Sequence, residues 1–190
     1  MKNNKKHTIR IISGKFKGSK ILIKKKCKIR PTTDCMRETL FSWINKEIIN
    51  ANCLDCFSGS GALGIEATSR YAASVTFIEK DTKTIHELKK TMMKFKKINI
   101  KIIHANTNEW LKKIRKSYDI IFLDPPFKTE LLQKTIFQLE TYKYVKIRSL
   151  IYIEREKTSK QLFIPNTWTL YKEKKTSKTH CQLYIREKNI

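Results

Sequence analysis

Three groups of residues in this chain of 190 could do chemistry. The first is Gly59-Ser60-Gly61-Ala62-Leu63-Gly64, a literal G-x-G-x-x-G. It follows a short apolar run and opens a helical stretch, and Glu79 lies about 20 residues on, at the end of the next strand-like run. In that context the glycines permit a tight turn and close backbone approach, and the acid accepts from ribose hydroxyls, so the loop points to an adenosine-type cofactor. The alternative is a turn that merely joins a strand to a helix.

The second is Asp55, at the strand end beneath that loop. A dinucleotide would put its pyrophosphate there, and two anions repel strongly in a low-dielectric site. S-adenosylmethionine carries no phosphate and ends in an ammonium, which suits an aspartate directly or through water. The competing reading has Asp55 capping the N–H groups of its own loop.

The third is Asp124-Pro125-Pro126-Phe127. Two prolines after an apolar run make a rigid turn without N–H donors. The turn therefore presents carbonyl oxygens beside the Asp124 carboxylate, a cluster of acceptors suited to a planar amine. An exocyclic nucleobase amine is conjugated and weakly nucleophilic. Acceptors holding its hydrogens would aim its lone pair at a sulfonium methyl, and Phe127 could stack on the base. Such a transfer works by positioning and needs no metal. The alternative is a turn that simply ends a strand.

The elements that must position these groups read as follows. Segments 8–12 and 19–23 are short β-strands around a turn with two glycines, and Pro31 with Thr33 or Asp34 announces a helix over 34–48. Met36, Leu40, Trp43 and Ile44 share one face of it. Strands are expected at 51–57, 74–79, 100–104, 118–123 and 150–154. Helices are expected at 62–70, 82–97, 109–116 and 129–142, with a closing hairpin of 168–172 and 182–186. Alternating strands and helices make an α/β, doubly wound, mostly parallel sheet. Ligands bind such sheets beyond the C-terminal strand ends, so both turns should face one crevice. The chain divides into a basic N-terminal β/helix extension, 1–48, and a main domain, 49–190.

Composition narrows the partner. Forty-one basic residues face 17 acidic ones, for a net charge of +24. Met1 to Thr33 holds twelve Lys or Arg and no acid. Such clustering is the electrostatic footprint of a polyanion binder, although a Lys-, Ile- and Asn-rich composition is also what AT-biased coding produces. No apolar run is long enough for a bilayer span, the basic start lacks an apolar signal region, and five Cys fit reduced thiols of a cytoplasmic protein. Cys53-Leu54-Asp55-Cys56 has no second C-x-x-C, and its thiols fall on opposite strand faces, so no metal site is expected.

Taken together, the motifs resemble a known family. Asp124-Pro125-Pro126-Phe127 resembles the (D/N/S)PP(Y/F) motif of amino-methyltransferases, and LDCFSGSGALGIEA (54–67) their cofactor loop. RPTTDCMRETLFSWI (30–44), RIISGKFKGSKI (10–21), TSRYAAS (68–74) and FIEKD (77–81) resemble the 16S rRNA guanine-N2 methyltransferases that modify guanine 966. The resemblance runs from about Arg10 to Arg186. It implies a Rossmann-like S-adenosylmethionine-dependent fold with a seven-stranded sheet and a C-terminal antiparallel hairpin. It implies Asp124, Pro125, Pro126 and Phe127 at the target base. Around the cofactor it implies Asp55, Phe57, Gly59, Gly61, Glu79, Asn106 (at adenine), Arg30 and Thr32. Arg10, Lys15, Lys17, Lys24, Lys25, Lys26 and Arg37 are the RNA-facing candidates. Cys35 stands where relatives often carry a basic residue.

The implied function is methyl transfer to guanine N2 of 16S rRNA, with the rRNA or the small ribosomal subunit as partner, no membrane, no metal, and nothing that demands more than a monomer. A DNA or RNA adenine or cytosine amino-methyltransferase shares the chemistry, but leaves no room here for a target-reading domain. A non-catalytic RNA-binding ribosome-assembly protein is a third reading, against which the intact motifs speak. An NAD-dependent dehydrogenase is disfavoured by Asp55 and the acceptor-rich turn.

Overall fold

A computed structural model describes residues 7–23, 34–95, 99–113, 116–126 and 129–188. The N-terminal strands β1 (His7–Arg10) and β2 (Lys20–Ile23) pair antiparallel as a separate ribbon, followed by helix α1 (Asp34–Trp43). The main sheet contains β3 (Asn52–Asp55), β4 (Ser74–Glu79), β5 (Ile100–His104), β6 (Tyr118–Leu123), β7 (Val145–Glu156), β8 (Trp168–Lys175) and β9 (Thr179–Arg186). Helices α2 (Ala62–Ser69), α3 (Thr82–Met92), α4 (Thr107–Leu111) and α5 (Thr129–Thr141) connect them.

The strand order is β5-β4-β3-β6-β7-β9-β8. Strands β3 to β7 run parallel, and β9 pairs antiparallel with both β7 and β8. From β3 the chain winds outward through β4 and β5, then crosses back to β6 and winds the other way. The switch point lies between β3 and β6, where open α/β sheets bind ligands.

Alternation along each strand builds two cores. Cys53, Phe77, Ile120, Phe122, Leu150 and Tyr152 face the side covered by β1, β2, α1, α2 and α3. Leu54, Ile78, Ile121, Leu123, Ile151 and Ile153 face α4 and α5. In α1 the apolar spacing buries Met36, Leu40 and Phe41, and the following turn buries Ile44 and Ile48; Trp43 is only partly buried. The N-terminal elements therefore share a core with the main sheet.

Several boundaries differ from the sequence expectation, among them the end of α3 at Met92 and the start of β9 at Thr179, and two have identifiable reasons. Strand β7 starts at Val145, five residues early, because its pairing with β6 shifts register between Tyr118 and Ile120. Arg148 takes φ 68° there, and the Ser149 hydroxyl donates to the Tyr118 carbonyl while accepting the Lys146 N–H. That bulge hides the alternation. Helix α4 spans Thr107–Leu111 rather than 109–116, since Asn106 caps it earlier. Helix α1 ends as regular helix at Trp43.

Candidate active site

The glycine loop is built by close packing. Gly59 and Gly61 take positive φ, 50° and 78°. A Cβ on Gly61 would lie 2.5 Å from Leu88 Cδ1, and one on Gly64 would lie 2.3 Å from the Phe77 ring. The loop can approach α3, and α2 can approach β4, this closely only with hydrogen at those positions.

Strand alternation carries four carboxylates to one edge and one face of the sheet. Asp55 is in register with Phe77 and Phe122, and Phe122 with Tyr152. Two residues further along, on the same face, stand Glu79, Asp124 and Glu154. This face carries α1 and α2, and Phe57, partly buried, packs toward the other core.

Asp55 is buried, and its carboxylate accepts the Gly64 N–H at 3.3 Å. Burial pushes its carboxyl up to about 7, against the hydrogen bonds from Gly64 and Phe57 N–H, with the negative charge of Glu79 adding to the rise. The two readings of Asp55, cofactor partner and loop cap, are thus compatible: one oxygen caps the loop. Glu79 is held by backbone alone. One oxygen accepts the Gly59 N–H at 2.9 Å and the other the Lys80 and Asp81 N–H groups, each at 2.8 Å. Asp81 in turn caps α3 by accepting the Thr84 N–H at 2.7 Å.

This donor set tests the kind of cofactor. Two acids flank the loop, one of them buried, so a pyrophosphate would meet like charge in a low-dielectric setting. A ligand with an ammonium and ribose hydroxyls fits, because both ends donate hydrogen bonds to carboxylates. Asn106 is exposed, and its carboxamide oxygen accepts the Asn108 N–H at 3.0 Å as the N-cap of α4. An adenine amine would need that same oxygen, whereas an adenine ring nitrogen would need the amide N–H.

On the β6 side, Asp124 is partly buried, Pro125 buried and Pro126 exposed. Beside them the Tyr152 hydroxyl lies 2.9 Å from Glu154 Oε2 and 3.1 Å from Cys181 Sγ. The phenol has a single proton and the carboxylate is the stronger acceptor, which leaves the Cys181 thiol to donate to the phenol oxygen. Burial raises the Tyr152 hydroxyl well above its ordinary value, followed by the charges of Glu154 and Asp124 among others; burial and the same two charges push the Cys181 thiol to about 12. Tyr152 is therefore a permanent donor. None of Glu154, Tyr152 or Cys181 was singled out as a site residue from sequence; they are brought beside Asp124 only by the pairing of β7 with β6 and β9.

The N-terminal ribbon is docked on α2 by a set the sequence did not reveal. Glu66 is fully buried and accepts the Ile12 and Ser13 N–H groups at 2.8 and 3.0 Å and Arg70 Nε at 2.9 Å. Ser69 accepts the Phe16 N–H at 3.0 Å. Gly14 has φ 82°, and a Cβ there would sit 1.9 Å from the Ser69 carbonyl oxygen. Arg37, expected among the RNA-facing cations, is completely buried. It donates to the Arg10 carbonyl at 2.8 Å and to Asp34 at 2.7 Å, and lies 3.8 Å from Glu66. That placement suits a structural strut and leaves no surface for a phosphate. Arg10, Lys15 and Lys17 are exposed. Phe127, Lys24, Lys25, Lys26, Arg30 and Thr32 lie outside the described residues.

Among the described residues no three His, Cys, Asp or Glu side chains are grouped to hold a metal. Cys53 and Cys56 lie in opposite cores, and with Cys35 and Cys181 are free thiols. Among those residues no helix is long and apolar enough to cross a membrane.

Known proteins resemble this chain over nearly its whole length. A family model described as Conserved hypothetical protein 95 matches residues 9–185. A protein of Buchnera aphidicola subsp. Baizongia pistaciae, named ribosomal RNA small subunit methyltransferase D, is 55% identical over 191 residues, spanning 100% of this chain and 97% of that protein. The Escherichia coli K12 protein of the same name is 41% identical over 179 residues, spanning 94% of this chain and 90% of that protein. The solved structure of Escherichia coli yhhF superposes with a TM-score of 0.89 at 41% identity, over 95% of this chain and 99% of that one. At 16% identity, a T. thermophilus 16S rRNA N2 G1207 methyltransferase in complex with AdoMet and guanosine shares the fold with a TM-score of 0.69, over 97% of this chain and 50% of that one.

Proposed function

The chain belongs to the ribosomal RNA small subunit methyltransferase D family, and on that premise we propose that it transfers a methyl group from S-adenosylmethionine to the exocyclic N2 of guanine 966 in 16S rRNA. One observation carries the reading. Asp55 and Glu79 on one side, and Asp124-Pro125-Pro126 on the other, stand at the C-terminal ends of strands meeting at the switch point, on one face of the sheet. A cofactor held at the first pair is thereby adjacent to an amine held at the second group.

S-adenosylmethionine supplies an electrophilic methyl on a sulfonium whose charge is dispersed as the methyl leaves. The chain supplies position and acceptors. Asp55 takes the methionine ammonium, Glu79 the ribose hydroxyls, and Gly59 and Gly61 allow the backbone to come close. Phe57, Asn106, Arg30 and Thr32 complete the proposed cofactor contacts. Asp124 and the carbonyl groups of the proline turn accept the two N–H bonds of the amine. Holding both hydrogens aims the nitrogen lone pair and draws it out of conjugation, and Asp124 is at hand for the proton released. Phe127 stacks on the base. Positioning of this kind is worth several orders of magnitude in rate.

The exposed Arg10, Lys15 and Lys17, with Lys24, Lys25 and Lys26, are proposed to grip phosphates, which fixes orientation while the pocket specifies the base. The protein would act as a monomer on 16S rRNA or the small subunit, without metal, in the cytoplasm. The basic extension 1–48 would serve RNA binding and 49–190 catalysis.

The test is methylation with labelled S-adenosylmethionine, offering small subunits from cells lacking the modification and, in parallel, protein-free 16S rRNA. Nuclease digestion and mass spectrometry should find N2-methylguanosine at position 966. Label in another base, or transfer to neither substrate while the cofactor binds, would refute the assignment.

A further inference from the structure

Strand β7 does not lead into a helix. A crossover, residues 157–167, carries the chain from it to the start of β8. Parallel pairing with β6 puts the end of β7, where this crossover begins, at the same end of the sheet as the proline turn. Its path is fixed at several points. The Arg155 guanidinium donates to the Ser159 carbonyl at 3.2 Å and to its hydroxyl at 2.9 Å. The Lys157 N–H donates to the Lys178 carbonyl, and the Trp168 N–H to the Pro165 carbonyl, each at 2.9 Å.

The middle of the crossover is clamped by one carboxamide. Gln133 Nε2 donates to the Phe163 carbonyl and Gln133 Oε1 accepts the Phe163 N–H, both at 2.8 Å. On either side, Leu162 and Ile164 pack into the core that α5 covers. With both neighbours turned inward, the Phe163 ring projects outward and is 84% exposed. Exposure alone is ordinary for a single apolar residue. Exposure on a backbone whose N–H and carbonyl are both clamped makes a rigid, outward-facing ring.

The setting of the ring names its partner. Gln133 lies one turn into α5, which begins three residues after Pro126. One turn further along the same helix face is Phe137, 68% exposed. Lys134 is exposed beside Phe137 on the helix, and Lys157 and Lys160 are exposed on the crossover, with exposed Glu130 and Glu156 offsetting part of that charge. Protein-binding patches have apolar centres depleted in charge, whereas here the two rings are set among Lys, Gln and Glu. Rings interleaved with cations suit unpaired nucleic acid: ring faces stack on bases, and ammonium groups pair with phosphates. The net charge of +24 favours the same partner. A ring already held in place also loses little freedom on binding.

We propose that Phe163 is a stacking platform for an unpaired nucleotide next to the target base, with Lys134, Lys157 and Lys160 holding the adjoining phosphates. The proposal rests on the RNA-methylating reading above and adds where the strand runs: past the proline turn and over the crossover after β7. That is the opposite layer from the N-terminal ribbon, so the RNA is held from both sides of the sheet.

The side chain of Phe163 lies outside both cores, so its replacement leaves them intact. On whichever of protein-free 16S rRNA and small subunits is methylated, Phe163→Ala should raise KM about 5–100-fold, the range for losing one base–aromatic stack. The change in kcat should be smaller, and affinity for S-adenosylmethionine unaltered. Phe163→Leu keeps an apolar side chain without an aromatic face and should lose as much, whereas Phe163→Trp should bind as tightly as the native protein or tighter. A native KM in Phe163→Leu overturns the proposal. A second readout needs no methyl transfer. The fluorescence that Phe163→Trp adds should be quenched by a short unpaired oligoribonucleotide but not by heparin, a polyanion without bases. Oligonucleotide binding, seen by anisotropy, without quenching overturns the proposal. An effect on small subunits alone, again without quenching, assigns Phe163 to a protein contact and overturns it equally. Quenching by the oligonucleotide with no methylation of any rRNA supports the platform and refutes the reaction assignment, so the two failures are distinguishable.

Discussion

The two halves of the crevice are organised by different means. On the β3–β4 side, acids are held by the backbone of their own neighbourhood: Glu79 by three N–H groups and Asp55 by Gly64. On the β6–β7 side, the arrangement is side chain to side chain, Tyr152 linking Glu154 to Cys181 across two strands. Backbone donors cannot be mutated away, so the first half can hold an invariant ligand through sequence drift. The second half can be retuned by single substitutions.

The comparison is most sharply broken at Asp124. Asp124→Ala should reduce methyl transfer by about a thousandfold or more, in the range of losing a principal transition-state contact. Cofactor affinity, measured by calorimetry, should stay within about threefold. Full activity would remove Asp124 from the chemistry, and a matching loss of cofactor affinity would show that the halves are not separate.

Glu66→Ala tests whether the N-terminal ribbon is a strut for both halves. It removes a buried acceptor serving two backbone N–H groups and Arg70, and leaves Arg37 buried with less counter-charge. The expected cost is about 3 kcal/mol, or a Tm lower by roughly 6–12 °C. An unchanged melt would mean that the ribbon is not held through Glu66.

Asp55 gives the backbone-organised half a pH signature. Its carboxyl is raised from 3.8 to about 7 by burial, with Glu79 adding. For the ligand-free protein, the stability this group contributes is fully present below about pH 4 and lost as pH rises through about 7. An ammonium-bearing cofactor selects the ionised form. Affinity for S-adenosylmethionine should therefore climb about tenfold per pH unit below pH 7 and stop climbing there, with proton release on binding below that pH. Asp55→Asn should bind weakly and flatten the climb. A flat profile in the native protein would remove the carboxylate from the ammonium.

The smallest effect is expected at Lys15 and Lys17, which belong to neither half. Changing both to Gln should reduce the slope of log affinity for RNA against log salt by about 1.5, with catalysis on bound RNA unaltered. No change in slope would return these charges to composition alone.

Legibility in the sequence follows the same division. Strands β4, β5 and β6 fall at the expected boundaries because each alternates cleanly between two cores. The glycine loop and the proline turn are local motifs whose chemistry needs contiguous residues. Glu154, Tyr152 and Cys181 are ordinary strand residues until the pairing of β7 with β9 joins them, and no spacing announces that. Arg37 and Glu66 were hidden for a similar reason. Burial of a charged pair 29 positions apart is a property of how α1 docks on α2, and in the sequence alone Arg37 looks like one more surface cation. Asn106 carries two meanings in one residue type: a carboxamide suited to adenine and a cap for α4, of which the local sequence announces the first more plainly.

The place of β9 between β7 and β8 has a consequence for the order in which the protein can be made. The pairs β3–β4 and β4–β5 join segments about 20 to 25 residues apart, so a chain emerging from the ribosome can settle that half early. Strand β7 pairs with β9 at Leu150 and Ile185, and β8 has β9 as its only neighbour in the sheet among the described residues. Until β9 has emerged, β7 is an open edge and Tyr152 lacks its thiol. The nascent chain would thus acquire the fold of the β3–β4 side, with its glycine loop, before that of the β6–β7 side.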